Sequence, residues 1–404
     1  MLSEHCLTGI KVLDLTRALA GPSCTRALAE MGAEVIKIEA APDGDMVRRI
    51  SCFDKDRSHY LVQWNLNKKS VCIDLRTEEG LDLVKSLVPK VDVVVENFRP
   101  GVMTEMGLGY DALCDLKSDI ILCSISAFGQ TGPMATNPGY DYIAQAYAGI
   151  TSMIGAPDEA PCIPLVGIGD ASTGIHGALA ITSALLYHAR SGKGQHLDVN
   201  LLDVYYSYHE VNVHQYAGSG GSIEPTRGGQ HMSYVSPAGI YQASGGYIMI
   251  LAFMQHWKDL CAAMQRPDLL DQELFGEDTT RTEHRFELVP IIEQWLQSFP
   301  DVESAMQVLN DHHVPSAPVL TVAETLENDH LNARGSIQTV DDPIAGKITF
   351  PRMPIRFSAF PEDPAYKAPK LGEHNAEVLK TWLNINDEEI ERLSAEKIIQ
   401  SKNS

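Results

Sequence analysis

Positive charge is scarce in this 404-residue sequence: Lys and Arg number 32 against 53 Asp and Glu, a formal charge of −21. A field of that sign repels nucleic acid and anionic membrane surfaces, so neither is an expected partner. A polyanionic small ligand would need particular Lys or Arg residues set against that background. Long hydrophobic runs are also missing. The longest, Tyr247 to Phe253, has the length of a strand, and Met1-Leu-Ser-Glu-His5 opens no apolar signal segment. These absences predict a soluble, cytoplasmic chain. The eight cysteines (6, 24, 52, 72, 114, 123, 162 and 261) include no Cys-x-x-Cys pair. Buried reduced thiols are therefore expected in place of a disulfide frame or a zinc site.

Several catalytic signatures are absent too. No Gly-x-Ser-x-Gly elbow occurs, and Gly192-Lys-Gly194 lacks the preceding glycine of a phosphate-binding P-loop. Gly167-Ile-Gly169-Asp-Ala-Ser-Thr-Gly174 approaches a dinucleotide fingerprint, but its third glycine comes two residues late and no early strand feeds it. His209-Glu-Val-Asn-Val-His214 resembles a zinc-protease helix, yet histidines five apart project about 140° from each other around a helix and cannot share one metal. No metal site is expected.

What is present is a βαβ grammar. Ile10 to Thr16 reads as a buried strand, Pro22 opens a helix that Gly32 stops, and Ala33 to Glu39 is the next strand. Thr77 can cap a helix through Leu87. Val91 to Glu96 and Ile120 to Ser126 are further continuous apolar strands, as a parallel sheet covered on both faces requires. Helical periods run over Tyr140 to Met153 and Ala171 to Arg190, before a strand from His196 to Val204. Gly218 to Ser222 with Pro225 forms a linker. Gly246 to Phe253 reads as a strand, 255–312 as mostly helical, and Gly335 to Phe357 as a hairpin turning at Gly346-Lys347. The expected organisation is α/β, with a domain break near residue 220.

Asp170 follows Gly167-Ile-Gly169 and stands immediately before the helical run. It can be an N-cap, its carboxylate accepting from first-turn amides. Those same amides could hold it ionised, and its small neighbours leave it approachable, so it can equally be a nucleophile. The residue chemistry alone leaves both open.

Val12-Leu-Asp-Leu-Thr-Arg-Ala-Leu-Ala-Gly-Pro22, Val35 to Glu39, Asn67 to Leu75, Val95-Glu-Asn-Phe-Arg-Pro-Gly101, Gly129-Gln-Thr-Gly-Pro133, Gly139-Tyr-Asp141, Gly169-Asp170 and Leu371-Gly-Glu-His374 occur in order over nearly the whole chain. This set resembles the class III CoA-transferases, the family of formyl-CoA transferase and the carnitine CoA-transferases, which also holds the α-methylacyl-CoA racemases. The resemblance implies a doubly wound large domain built from both chain ends, over 1–220 with 329–404 returning to it, a smaller inserted α+β domain over 221–328, and an interlocked homodimer. It implies acyl-CoA and a small carboxylic acid as substrates, with no permanently bound cofactor. The aspartate at the position of Asp170 would attack the thioester, giving an anhydride and then an aspartyl-CoA thioester. CoA contacts carry over to Leu19, Ala20, Ile73, Asp74, Leu75, Arg76, Asn97, Phe98, Arg99 and Tyr140. Arg76 and Arg99 are the local cations that a polyanionic ligand needs.

Departures from the family pattern sharpen the expectation. A CoA-contacting arginine of formyl-CoA transferase falls on Glu105, and its glycine-rich active-site loop falls on Met232 to Ser236, although Arg227, Gly228, Gly229 and Gln230 just before it are kept. Where the racemases place a histidine base this sequence has Tyr140, and a phenol titrating near 10 substitutes poorly for an imidazole. A CoA-transferase is expected, with racemase and non-catalytic acyl-CoA-binding protein as the alternatives.

Overall fold

The computed structural model describes residues 5–53, 57–360 and 367–402; Met1 to Glu4, part of the N-terminal reading above, lie outside them. The apolar runs of the first two hundred residues form one parallel sheet. In chain order come β1 (Lys11–Asp14), α1 (Ala20–Glu30), β2 (Glu34–Ala40), α2 (His59–Trp64), β3 (Lys68–Ile73), α3 (Glu78–Leu87), β4 (Val93–Glu96), α4 (Val102–Glu105), α5 (Tyr110–Leu116) and β5 (Ile121–Ser126). Then follow α6 (Asp141–Tyr147), α7 (Ile168–Ser191), β6 (Gln195–Asn200) and α8 (Leu201–Ser207). The strand order is β3-β2-β1-β4-β5-β6, with every neighbouring pair parallel.

Apolar residues dominate the central strands β4 and β5 because alternate side chains enter two different cores. Leu13, Ile36 and Val94 pack with Val84 of α3 and with Val378 and Leu379 from the C-terminal region. Val12, Val35 and Val93 meet Leu28 of α1 and Ile181 of α7 on the other face. Between β1 and β4 the chain order reverses, which leaves a crevice at the carboxyl ends of the strands.

The chain divides into two compact units. The first takes in the described residues up to Ala148, Pro164–His209 and those from Leu331 onward; the second is Gly149–Ile163 with Glu210–His330. In the second, α9 (Asn212–Gly218), β7 (Ala238–Ala243), β8 (Gly246–Leu251), α10 (Gln255–Ala263), α11 (Asp278–Glu283), α12 (Arg285–Leu296), α13 (Val302–Asp311) and β9 (Ser316–Pro318) follow in order. The strands make an antiparallel sheet, β7-β8-β9, packed around Trp257, Leu260, Ile292 and Leu309. After α14 (Val322–Glu327) and α15 (Asp329–Ala333) come the hairpin β10 (Ile337–Asp342) and β11 (Gly346–Pro351), then α16 (Asn375–Leu383) and α17 (Asp387–Ala395). Among the described residues no helix is long and apolar enough to cross a membrane.

Departures from the expected elements have local causes. The strand expected to reach Val204 stops at Asn200, whose side chain caps α8 by accepting the Asp203 amide at 2.8 Å. The hairpin turns at 343–345, where the Asp342 carboxylate accepts the amides of Ile344 and Ala345 at 2.9 and 3.0 Å, and Gly346 already belongs to the returning strand. His209 and His214 do not share a helix, since α8 ends at Ser207 and α9 begins at Asn212. Cys24, Cys72, Cys123 and Cys261 are buried free thiols, but Cys6, Cys52 and Cys162 are exposed. Segment 149–163, expected within the large domain, joins the second unit. There the Arg227 guanidinium donates to the carbonyls of Ser152, Ala156 and Glu159 at 3.0, 3.1 and 2.8 Å.

Candidate active site

The turn after β1 is held from below by buried charges. The Asp14 carboxylate lies 3.2 Å from Lys68 Nζ and accepts the Thr16 amide at 2.9 Å and the Thr25 hydroxyl at 2.7 Å. Burial pushes its pKa up, but Lys68 and Lys37 outweigh burial and hold it below the ordinary range. Lys37 donates to the Thr16 carbonyl at 2.7 Å and pairs with Asp45 at 3.0 Å, while Asp45 accepts the Ala18 amide at 3.1 Å. Removing one member would leave its partner charged and buried, so the network is committed to this turn. Ala18 is held at φ +66°, a left-handed conformation that few residues other than glycine adopt unaided. From the side of β4, Asn97 accepts the Arg17 amide at 2.9 Å and donates to the Arg17 carbonyl at 2.8 Å.

Asp170 enters from α7, and its setting corrects the sequence reading. The N-cap is Gly167, so Asp170 is the third residue of the helix and is not its cap. Its own amide donates to the Asp141 carboxylate at 3.1 Å, and the Gly169 amide donates to the Tyr205 hydroxyl at 3.0 Å. Tyr205 in turn donates to Asp141 and accepts from the Gln145 amide at 3.0 Å. Amides expected to stabilise an ionised Asp170 are therefore engaged by Asp141 and Tyr205. Burial first, and the Asp141 charge second, push the Asp170 carboxyl up to about 7. The near-fingerprint glycines serve packing in this arrangement. A Cβ at Gly169 would overlap the Tyr205 ring, and one at Gly174 would strike the Ser23 hydroxyl where α1 meets α7.

A cleft of about 340 Å³ opens at the carboxyl ends of β1, β4 and β5, at the reversal of strand order. Of the residues named from the sequence, Leu19, Ala20, Asn97, Phe98, Arg99, Tyr140 and Asp170 line it. Phe98 is fixed by its amide, which donates to the buried Glu96 carboxyl at 2.8 Å; burial pushes that carboxyl up to about 7. The Asn97 side-chain amide is already engaged by the Arg17 backbone, so Asn97 shapes the cleft by holding Arg17.

The other residues named in this unit do not line the cleft. Ile73 ends the edge strand β3 with its side chain in the core, and the Arg76 guanidinium grips Asp74 at 2.7 and 2.8 Å; neither these nor Leu75 line the cleft. Gly228, Gly229 and Gln230 belong to the second unit. They border a cavity of about 460 Å³ with Phe286, and Gly229, at φ +64°, donates to the Gly155 carbonyl at 3.1 Å.

Sequence reasoning missed Arg17, Asp141 and Tyr205 as site residues. Arg17 stands inside the first quoted run and could have been found as a cation beside Leu19. Asp141 stood in the Gly139-Tyr-Asp141 motif with nothing local to mark its role, and Tyr205 carries no local signal, because it meets Asp141 across 64 positions of chain.

A parallel sheet whose crevice holds a half-buried carboxyl group and exposed arginines defines an α/β protein with a site suited to small anionic ligands. The chain belongs to CoA-transferase family III, whose sequence model matches residues 7–375. It is similar to the succinyl-CoA–D-citramalate CoA-transferase of Chloroflexus aurantiacus, with 36% identity over 397 residues covering 97% of this chain and 98% of that one. It is also similar to the succinyl-CoA:glutarate CoA-transferase of Mus musculus, at 34% identity over 98% of this chain and 90% of the other. Among solved structures, a CAIB/BAIF family protein from Brucella suis superimposes with a TM-score of 0.81 at 33% identity, over 94% of this chain and 99% of that one.

Proposed function

We propose that this protein moves CoA from a dicarboxylic acyl-CoA, succinyl-CoA foremost, to a free dicarboxylic acid, with Asp170 as the nucleophile. The observation that carries the reading is the Asp170 carboxyl, half-buried in a crevice that Arg17 and Arg99 also line. The named relatives act on succinyl-CoA and on dicarboxylic acids, which supports the substrate class.

The chemistry needs no group beyond the two substrates. Ionised Asp170 attacks the thioester carbonyl; the C–S bond breaks, CoA leaves as thiolate, and a mixed anhydride remains. The thiolate attacks the aspartyl carbonyl and releases the donor acid, leaving an aspartyl-CoA thioester. The acceptor carboxylate then attacks that thioester to form a second anhydride, and CoA returns to the acceptor's acyl carbon, freeing Asp170. Activation is conserved at each exchange as long as water stays out. A carboxyl whose pKa is raised to about 7 by burial is weakly solvated when ionised, which favours its attack.

In this reading two copies interlock as a homodimer. Exposure of Ile168, Ile175, Leu179 and Leu186 along α7 supports burial of that stripe by a second chain. The test is a mass-spectrometric panel of acyl-CoA donors against free acids. Succinyl-CoA with a dicarboxylic acceptor should give the acceptor's thioester, and Asp170→Ala should lower turnover by about a thousandfold or more. A fully active Asp170→Ala protein contradicts the reading.

A further inference from the structure

Resting on the transferase reading, we propose that Arg17 is a substrate-binding cation of the cleft, pairing its guanidinium with an anionic oxygen group of the substrate. The cleft sits on a chain with net charge −21, where cations are usually claimed by neighbouring acids. A second cavity of the same unit, about 330 Å³, shows the usual case: Arg48 pairs with Glu39, Arg49 and Lys402 with Asp43, and Arg57 with Asp342. Arg17 differs. Its side chain is exposed in the Asp170 cleft, and among the described residues it has neither a carboxylate partner nor an acceptor for its N–H donors.

Its placement is built. Asn97 clamps the Arg17 backbone amide and carbonyl, Asp45 and Lys37 hold Ala18 and Thr16 on either side, and the guanidinium lies 5.5 Å from the centre of the Phe98 ring. Phe98 is itself tied to Glu96. A planar cation supported on an aromatic ring and backed by a rigid turn loses little conformational freedom when it takes up a forked oxyanion. Two oxyanions of the proposed substrates fit that chemistry: the phosphates of CoA and the second carboxylate of a dicarboxylic acyl group. Leu19, two residues on, packs against Gly167 at the start of α7, so the turn bearing Arg17 runs directly to the helix that carries Asp170.

Arg17→Gln tests the proposal without threatening the fold, because the contacts to Asn97 use only backbone atoms of residue 17. Free CoA is titrated calorimetrically into both proteins, and steady-state KM is measured for succinyl-CoA and acetyl-CoA. If Arg17 meets phosphate, the variant weakens free CoA and both thioesters alike, by about tenfold to a hundredfold. If it meets the second carboxylate, free CoA and acetyl-CoA are unchanged and only succinyl-CoA loses that factor. Either result supports the proposal and names the oxyanion, and Arg17→Lys should restore part of the loss, since it keeps the charge without the fork. Equal affinities of wild type and Arg17→Gln for all three ligands would overturn it. A wild-type protein that binds CoA but turns over no donor would instead overturn the transferase reading, leaving the calorimetric comparison to decide Arg17.

Discussion

Replacing Asp170 by Asn should abolish turnover and, in the same molecule, stabilise the fold in a pH-dependent way. The Asp170 carboxyl has its pKa raised from 3.8 to about 7, by burial first and by Asp141 second. An acid raised in this way keeps its proton in the folded chain after the unfolded chain has lost it. Wild-type stability is therefore fully present below pH 4 and declines as pH rises through 7, whereas Asn carries no such dependence. A shift of three units at about 1.36 kcal/mol each gives a ceiling of about 4 kcal/mol at pH 8, and the same linkage leaves about 1.7 kcal/mol at pH 5. Unfolding entropy of about 2.1 cal/mol/K per residue turns these into melting-temperature gains for Asp170→Asn of about 5 °C at pH 8 and about 2 °C at pH 5. Calorimetric melts of both proteins at four pH values between 5 and 8 read the trend. A difference that stays flat with pH, or an Asn variant that melts lower throughout, would refute the claim that this carboxyl is held against its solvation.

The same carboxyl should govern the rate: kcat/KM is expected to rise with pH through about 7 as Asp170 ionises, and Asp141→Asn should move that midpoint down while burial keeps it above the ordinary carboxylate range. Arg99→Gln, which empties a cleft cation, should raise the acyl-CoA KM by about 1.5–3 kcal/mol in free-energy terms, and Arg76→Gln should move it less because that guanidinium is already held by Asp74. The family resemblance sets Tyr140 where racemases carry a histidine base, so a 2-methylacyl-CoA incubated with the protein in heavy water should keep its α-proton; enzyme-dependent deuterium uptake by NMR would favour racemisation.

The alternation of covered helices and apolar strands made the βαβ start legible, since Val12-Leu13 and Val35-Ile36 serve opposite cores and leave no polar face. Strand β3 was recognisable only as a family motif. Its Lys68 and Ser70 look like surface residues, and only the fold shows Lys68 buried against Asp14, with desolvation holding its pKa down to about 8. Asp170 stood out through its glycines and the family pattern. Its state did not, because the amides expected to ionise it are taken up by Asp141 and Tyr205, which reach it from α6 and α8. Local spacing says nothing about such contacts. The excursion at 149–163 was hidden for the same reason, being held by Arg227 more than sixty residues away.

The central claim is that CoA passes through a covalent bond to Asp170, and trapping that bond tests it most directly. Enzyme mixed with succinyl-CoA and no acceptor, then quenched within milliseconds into hydroxylamine or borohydride, should carry a hydroxamate or an alcohol on Asp170, each read as a mass change on the peptide containing Gly169-Asp170. Asp141 and every other carboxyl should remain unlabelled. A preparation that turns over under the same conditions yet shows no label at Asp170 would contradict the covalent route.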